Sequence, residues 1–503
     1  MCSGGVRLIC IKLWHRLRAL YLTYIKIAAV RLRHSAGIKE KIFMTAVTPE
    51  LLRRYDVPGP RYTSYPTADR FVEAFGPRDY SLALQQRKVA ATRKAQPMSL
   101  YVHIPFCESL CYYCACNKIV TKHHERAANY LRYLEREVDL HLAHCGRGQA
   151  VSQFHVGGGT PTFLSDDELR GLWQMLRERF VFNPAGEYSI EVDPRTVTGE
   201  RLAALKEMGF NRLSFGVQDF DADVQKAVHR EQPAEQVFAL VAQARALGFQ
   251  SINVDLIYGL PKQNPQSFAR TLQQVGELRP DRIALYAYAH LPERFKPQRR
   301  ILQADLPPAP DKVGMLSAAI ASFMDAGYVY VGMDHFALPD DALAVAKRQG
   351  RLHRNFQGYS TQPDCDLIAL GVSAIGRVGA TYSQNAKTLE EYYDLIDQQR
   401  LPVVRGLALS RDDLIRRAMI MTIMCQGEVL FESINHAWLI DCKQYFAAEL
   451  EALQDQQDEG LVRVDEQGIT VTAKGWFFIR GVALVFDRYL QADRNRARFS
   501  RII

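Results

Sequence analysis

Between about Pro97 and Ala337, short apolar runs alternate with longer stretches whose apolar residues recur every three or four positions, the pattern of parallel strands joined by amphipathic helices. The runs SLYVHIPF, QFHVGGG, YSIEVDP, RLSFGVQ, INVDLIYGLP and RIALYAYAH predict six strands, and YVYVGMDHF offers a seventh. Helices fit between them. SDDELRGLWQMLRERF begins with a capping Ser165 and an acidic first turn, and PAEQVFALVAQARALG stops at Gly248. Polar residues and glycines gather at the C-terminal ends of the strands, where parallel barrels keep their active sites. The expectation is an α/β domain over residues 97–384, preceded by an N-terminal segment at 44–96.

Past about residue 385 the pattern turns helical in LEEYYDLIDQQR, RDDLIRRAMIMTIM and CKQYFAAELEALQDQQDEG, with one hairpin in GLVRVDEQGITVTAKG. A mainly helical, winged-helix-like domain is expected over 385–503. Its DEGLVRVDE stretch is acidic and no basic recognition helix stands out, so a cap over the barrel mouth is preferred to a nucleic-acid reader.

Charge is informative through its location. The chain has 503 residues and a net charge of +8. Of its 63 basic and 55 acidic residues, nine (Arg7, Lys12, Arg16, Arg18, Lys26, Arg31, Arg33, Lys39, Lys41) and one (Glu40) fall within residues 1–43, which leaves 54 of each beyond. The body of the chain therefore has no general attraction for DNA or RNA. The extension reads as basic and amphipathic, suited to a membrane surface or to targeting. The preferred reading is an appendage, or a start assigned upstream of Met44. It has no clean apolar run, so neither a cleavable signal nor stable membrane insertion is expected.

Ten cysteines are present, and four of them fall in YVHIPFCESLCYYCACNKI. The others, Cys2, Cys10, Cys145, Cys365, Cys425 and Cys442, are scattered singly, unlike a disulfide framework. Cys107, Cys111 and Cys114 stand in an uneven C-x3-C-x2-C spacing without a distant matching pair. Structural zinc sites close a tetrahedron with regular knuckles, whereas three thiolates suit a [4Fe-4S] cluster that keeps one iron for a small ligand. The ligand implied is S-adenosylmethionine, whose reductive cleavage yields a 5′-deoxyadenosyl radical. An oxygen-sensitive cluster also argues for a reducing cytoplasm.

From about Tyr55 to the C-terminus, the ordered segments PGPRYTSYPTA, YVHIPFC with CNKIVT, GGGTPT, IEVDPR, FGVQDF, DLIYGLPKQ, YAYAHLP, GMDHFA, HRNFQGY and VTAKG resemble the oxygen-independent coproporphyrinogen III oxidases. GGGTPT alone is shared with other radical enzymes; the ordered set is specific. The resemblance implies an incomplete (β/α)6 barrel of the radical S-adenosylmethionine type and a monomer. It also implies conversion of two propionates of coproporphyrinogen III to vinyls, giving protoporphyrinogen IX. Two bound S-adenosylmethionines are implied as well. Cys107, Cys111 and Cys114 would ligate the cluster, with Cys116 as the adjacent non-ligand. Tyr101, Gly158 and Glu191 would hold the first S-adenosylmethionine. Tyr113, Gly159, Thr160, Gln218, Arg230, Asp255, Ala289 and Ile375 would surround the second. Tyr113 replaces a phenylalanine, and Arg377 beside Ile375 departs from the pattern. The rival reading is a haem-binding chaperone of the same superfamily, which tends to lack Cys116, the PGPRYTSYPTA segment and the full CNKIVT continuation. The electron donor and acceptor are not identified by the sequence.

Taken alone, several of these residues also admit structural roles. The glycine run suits a tight strand-to-helix turn, Glu191 and Asp193 a helix cap, Asp255 a satisfied buried carboxylate, and Arg230 a solvated surface. For His103 and His335, supporting hydrogen bonds are preferred to ligation. Gln357 is a candidate to face substrate.

Overall fold

The computed structural model describes residues 49–492 except 56, 92–95 and 363. The basic extension at 1–43, with the expectations attached to it, lies outside the described residues. Within the unit that begins at Arg53, six strands carry the expected runs: β1 Met98–Ile104, β2 Ala150–Gly158, β3 Val181–Val192, β4 Arg212–Gln218, β5 Ser251–Tyr258 and β6 Arg282–Ala287. All five neighbouring pairs are parallel. Every β1 residue except Tyr101 is buried, the polar Ser99 and His103 included.

The connecting helices start and stop where their caps direct. Glu125–Cys145 (α1) follows the cysteine loop. Asp166–Arg179 (α2) opens on a full capping box, with Ser165 Oγ accepting from the Glu168 N–H and Glu168 Oε2 from the Ser165 N–H. Ala234–Ala246 (α3) ends before Gly248, whose φ of +75° is a left-handed turn that a side chain would strain.

The expected seventh strand is instead two, β7 Val329–Gly332 and β8 His335–Ala337, and β8 pairs antiparallel with β6. On the other flank, β9 Leu367–Leu370 joins β1 in parallel. The antiparallel strands β10 Ile375–Val378, β11 Thr381–Asn385 and β12 Val403–Ala408 extend the sheet from there. The twelve-stranded order is β12-β11-β10-β9-β1-β2-β3-β4-β5-β6-β8-β7. Sheet pairing thus continues past the turn to helices expected at 385, because β12 returns to close the edge of β11.

After Ala408 comes Arg411–Gln426, followed by short helices and a three-stranded sheet. The expected hairpin is present as Val462–Val464 paired with Gly468–Val471, and Glu428–Leu430 adds a third strand. The long helix expected from Cys442 is broken near the buried Phe446 and Leu453 into three short pieces. The PGPRYTSYP segment ties this region to the sheet edge. Arg61 pairs with Asp334, Tyr62 donates to Asp487 at 3.0 Å, and Arg480 donates to the Pro60 carbonyl at 3.0 Å. Among the described residues, no helix is long and apolar enough to cross a membrane.

Candidate active site

The cysteine loop leaves the C-terminal end of β1 and is pinned at both ends. Phe106–Cys107 pairs in parallel with Ile119–Val120, and the Thr121 N–H donates to the Cys107 carbonyl at 2.9 Å. Midway, the Tyr112 N–H donates to the Val228 carbonyl at 3.0 Å, while the Tyr112 ring stacks on His229 at 5.1 Å. The glycine turn after β2 docks against the start of the loop. Gly159 donates to the Ile104 carbonyl at 2.7 Å and Thr160 to the Phe106 carbonyl at 2.8 Å. A Cβ at Gly159 would stand 2.7 Å from the Phe106 carbonyl oxygen, a backbone atom that cannot swing away. Gly158 has φ +116°, and a Cβ there would meet the His103 ring at 2.6 Å. The run is therefore more than a tight turn: it permits close contact with the cysteine loop.

A cavity of about 290 Å³ opens between these elements, lined by Cys107, Cys111, Cys114 and Cys116 on one side. Tyr113, Gly158, Gly159, Thr160, Glu191, Gln218, Arg230 and Asp255 also line it, together with Asp193 and Arg195, so most of the expected site residues meet in one place. Tyr101, Ala289 and Ile375 are not among its lining residues. Tyr101 stands behind it, stacked on His155 at 5.9 Å and hydrogen-bonded to His103 Nδ1 at 3.1 Å. Ala289 is tied to the wall through Gln298, whose amide donates to both the Tyr113 and the Ala289 carbonyls. Ile375 begins β10 on the far side of β1 and β9.

Charge is arranged in two groups. Glu191 accepts from the Gly158 N–H at 3.1 Å and faces His155 Nε2 at 3.4 Å. Burial pushes its carboxyl upward, but His155 and the Gly158 N–H outweigh that and hold it below the usual range. Asp255 accepts from Ser214 at 3.0 Å and Asn253 at 2.9 Å, yet burial, with Glu191 nearby, pushes it up to about 6.

Arg230 is no surface arginine. It is 7% exposed, donates to the Gly216 carbonyl, pairs with Asp193 Oδ2 at 3.1 Å and points Nη1 at Cys111 Sγ from 3.5 Å. Asp193 does cap the short turn after it, accepting from the Arg195 N–H, but it also pairs with two guanidiniums. Gln218 sits at φ +68°, where β4 bulges, a strained conformation that turns its side chain to the cavity. Arg195 and His155 were not singled out by the sequence. The IEVDPR motif contained Arg195, and the inward-facing polar position of QFHVGGG was the signal for His155.

The thiols differ from one another. Burial pushes Cys107 up to about 11, against a hydrogen bond from the Thr160 hydroxyl. A hydrogen bond from Cys116, joined by Lys118, lowers Cys114 to about 6, and the same bond raises Cys116 well above the ordinary thiol value. Among the described residues, no three His, Cys, Asp or Glu side chains come close enough to hold one metal ion. Three soft donors spread around a glycine-backed cavity, with guanidiniums as countercharges, instead fit a cluster in which each thiolate binds its own iron.

Residues 101–275 match the Radical SAM superfamily, and residues 409–478 match the HemN C-terminal domain. The oxygen-independent coproporphyrinogen III oxidase of Pseudomonas aeruginosa is 50% identical over 456 residues, covering 90% of this chain and 98% of the relative. This chain belongs to the oxygen-independent coproporphyrinogen III oxidase family. The Escherichia coli relative is also 50% identical over 453 residues, and the Synechocystis relative is 42% identical over 458. The solved structure of coproporphyrinogen III oxidase from Escherichia coli, described as a radical SAM enzyme, superposes with a TM-score of 0.82. It covers 85% of this chain and 97% of its own. The family's cofactors are a [4Fe-4S] cluster and S-adenosylmethionine, in agreement with the donor set found here.

Proposed function

We propose that this chain catalyses the anaerobic oxidative decarboxylation of two propionates of coproporphyrinogen III to vinyls, giving protoporphyrinogen IX. The observation that carries the reading is the meeting of the C-x3-C-x2-C thiols, Glu191, Arg230 and Asp255 around one cavity, in a chain 50% identical to named oxidases over nearly their whole length. That likeness favours the oxidase over a haem-binding chaperone.

Cys107, Cys111 and Cys114 would hold the cluster. When bound, the cluster would supply the electron for reductive cleavage of S-adenosylmethionine, the source of a radical able to take a propionate β-hydrogen, and the electron left on loss of CO2 would pass to a separate acceptor. The chain's own residues bind and orient. Gly158 would let backbone approach the first S-adenosylmethionine, and the ionised Glu191 would accept hydrogen bonds from its ammonium or ribose, with Tyr101 stacked on His155 fixing that wall. Tyr113, Gly159, Thr160, Gln218, Arg230 and Asp255, with Ala289 and Ile375 at greater remove, would take a second. The enzyme would act as a monomer in the cytoplasm, served by a low-potential electron donor and a separate acceptor.

The test is product analysis with reduced, reconstituted protein, S-adenosylmethionine and coproporphyrinogen III under strict anaerobiosis. Vinyl product with matching 5′-deoxyadenosine supports the reading. Tight haem binding without any porphyrinogen turnover favours the chaperone.

A further inference from the structure

Two cations converge on one thiol. Arg195 Nη2 lies 3.7 Å from Cys111 Sγ and Arg230 Nη1 lies 3.5 Å from it. Asp193 holds both: Arg195 Nε and Nη2 form a fork on its carboxylate, with contacts at 3.0 and 2.7 Å, and Arg230 contacts it at 3.1 Å. The Arg195 side chain is 19% exposed and Asp193 7%, so the group is poorly screened by water. Arg230 lies among the residues proposed to take S-adenosylmethionine. Arg195 is fixed from behind by its carboxylate and by its own N–H on Asp193 Oδ1.

We propose that Arg195, locked by Asp193, holds a permanent positive charge on the Cys111 sulfur and thereby raises the reduction potential of the cluster that Cys111 would ligate. The inference rests on the ligand assignment above. One electron enters the cluster from a low-potential donor, no proton accompanies it, and the three-thiolate site becomes more negative by one charge. A guanidinium does not deprotonate in a protein, so its attraction for that added charge is constant across pH. Hydrogen bonds and charges at cluster sulfurs are recognised means by which proteins set such potentials. Of the local charges, Asp193 offsets one guanidinium, and the remaining positive charge faces the thiolate. Removing Arg195 leaves Asp193 and Arg230 cancelling each other.

The experiment compares full-length wild type, Arg195→Gln and Arg195→Lys, all anaerobically reconstituted. Iron and sulfide are counted, and the cluster is titrated with dithionite while its electron paramagnetic resonance signal is followed. Arg195→Gln is expected to keep a full complement of iron and to lose about tenfold in its reduction equilibrium, a midpoint lower by about 59 mV for one electron. Arg195→Lys, which keeps the charge but not the fork on Asp193, is expected to fall between wild type and Arg195→Gln. An unchanged midpoint in Arg195→Gln would overturn the proposal, and if S-adenosylmethionine binding weakened instead, Arg195 would be a contact for that molecule. Loss of iron in either variant would assign it to assembly and also overturn the proposal. Failure of the underlying ligand assignment shows separately, as a full iron complement in Cys111→Ala.

Discussion

A three-thiolate set has no spare member, so replacing Cys107, Cys111 or Cys114 with Ala should abolish both iron loading and activity. Cys116→Ala should still load, because that thiol is exposed and serves Cys114 as a hydrogen-bond donor. Iron counting on the four variants checks this, and a Cys116→Ala protein without iron beside a fully loaded Cys107→Ala would reverse the assignment. Asp255 carries a pH prediction. Its carboxyl is raised to about 6, so the charged form that can accept from a ribose or an ammonium group prevails only above that pH. S-adenosylmethionine binding should strengthen between pH 5 and 7, and Asp255→Asn should flatten that rise; a slope unchanged in the variant would assign the dependence elsewhere. At this scale the sequence made the cysteines legible through their spacing alone. Arg230 was not legible from its neighbours His229 and Glu231, because its burial depends on Asp193 and Gly216, which are distant in sequence. Arg195 was hidden for the same reason: only the fold brings it to Cys111.

The elements hold the site by close backbone contact and by one buried polar knot. Gly159→Ala would set a Cβ against the Phe106 carbonyl and push the glycine turn off the cysteine loop. A displacement of that kind in packed structure costs about 1–3 kcal/mol, and turnover should fall by roughly tenfold or more. Steady-state kinetics on the folded variant checks this, with retained activity as the contrary result. The knot is Glu137 on α1, which accepts from Tyr392 at 2.7 Å, the Gly371 N–H at 2.7 Å and Asn385 at 2.7 Å, and so fastens the turn between β9 and β10 to α1. Burial raises its carboxyl to about 7 in spite of these donors. The folded state thus keeps a proton that the unfolded chain releases near pH 4, and this contribution to stability fades as pH rises from about 4 to 7. The melting temperature of wild type relative to Glu137→Gln should decline over that window, and a constant difference would contradict it. The barrel strands were legible because each is an apolar run bounded by turn residues. β9 to β12 were not: β9 is only four residues long and its pairing with β1 spans more than 260 residues, while β10 to β12 are short, polar in part and pair with one another.

On the scale of the whole molecule, every proposed site residue and a balanced charge lie beyond Met44. A chain beginning at Met44 should therefore match the full chain in yield and turnover, and loss of either would give the basic extension a role. The central claim is that the cavity beside Cys107, Cys111 and Cys114 supports hydrogen-atom removal from a propionate. The most direct measurement uses coproporphyrinogen III deuterated at the propionate β-carbons, with reduced, fully loaded enzyme and S-adenosylmethionine in the absence of oxygen. The account predicts divinyl product together with deuterium in the 5′-deoxyadenosine formed at each decarboxylation. Vinyl product with an unlabelled nucleoside, or no vinyl product from an enzyme with an intact cluster, would contradict it.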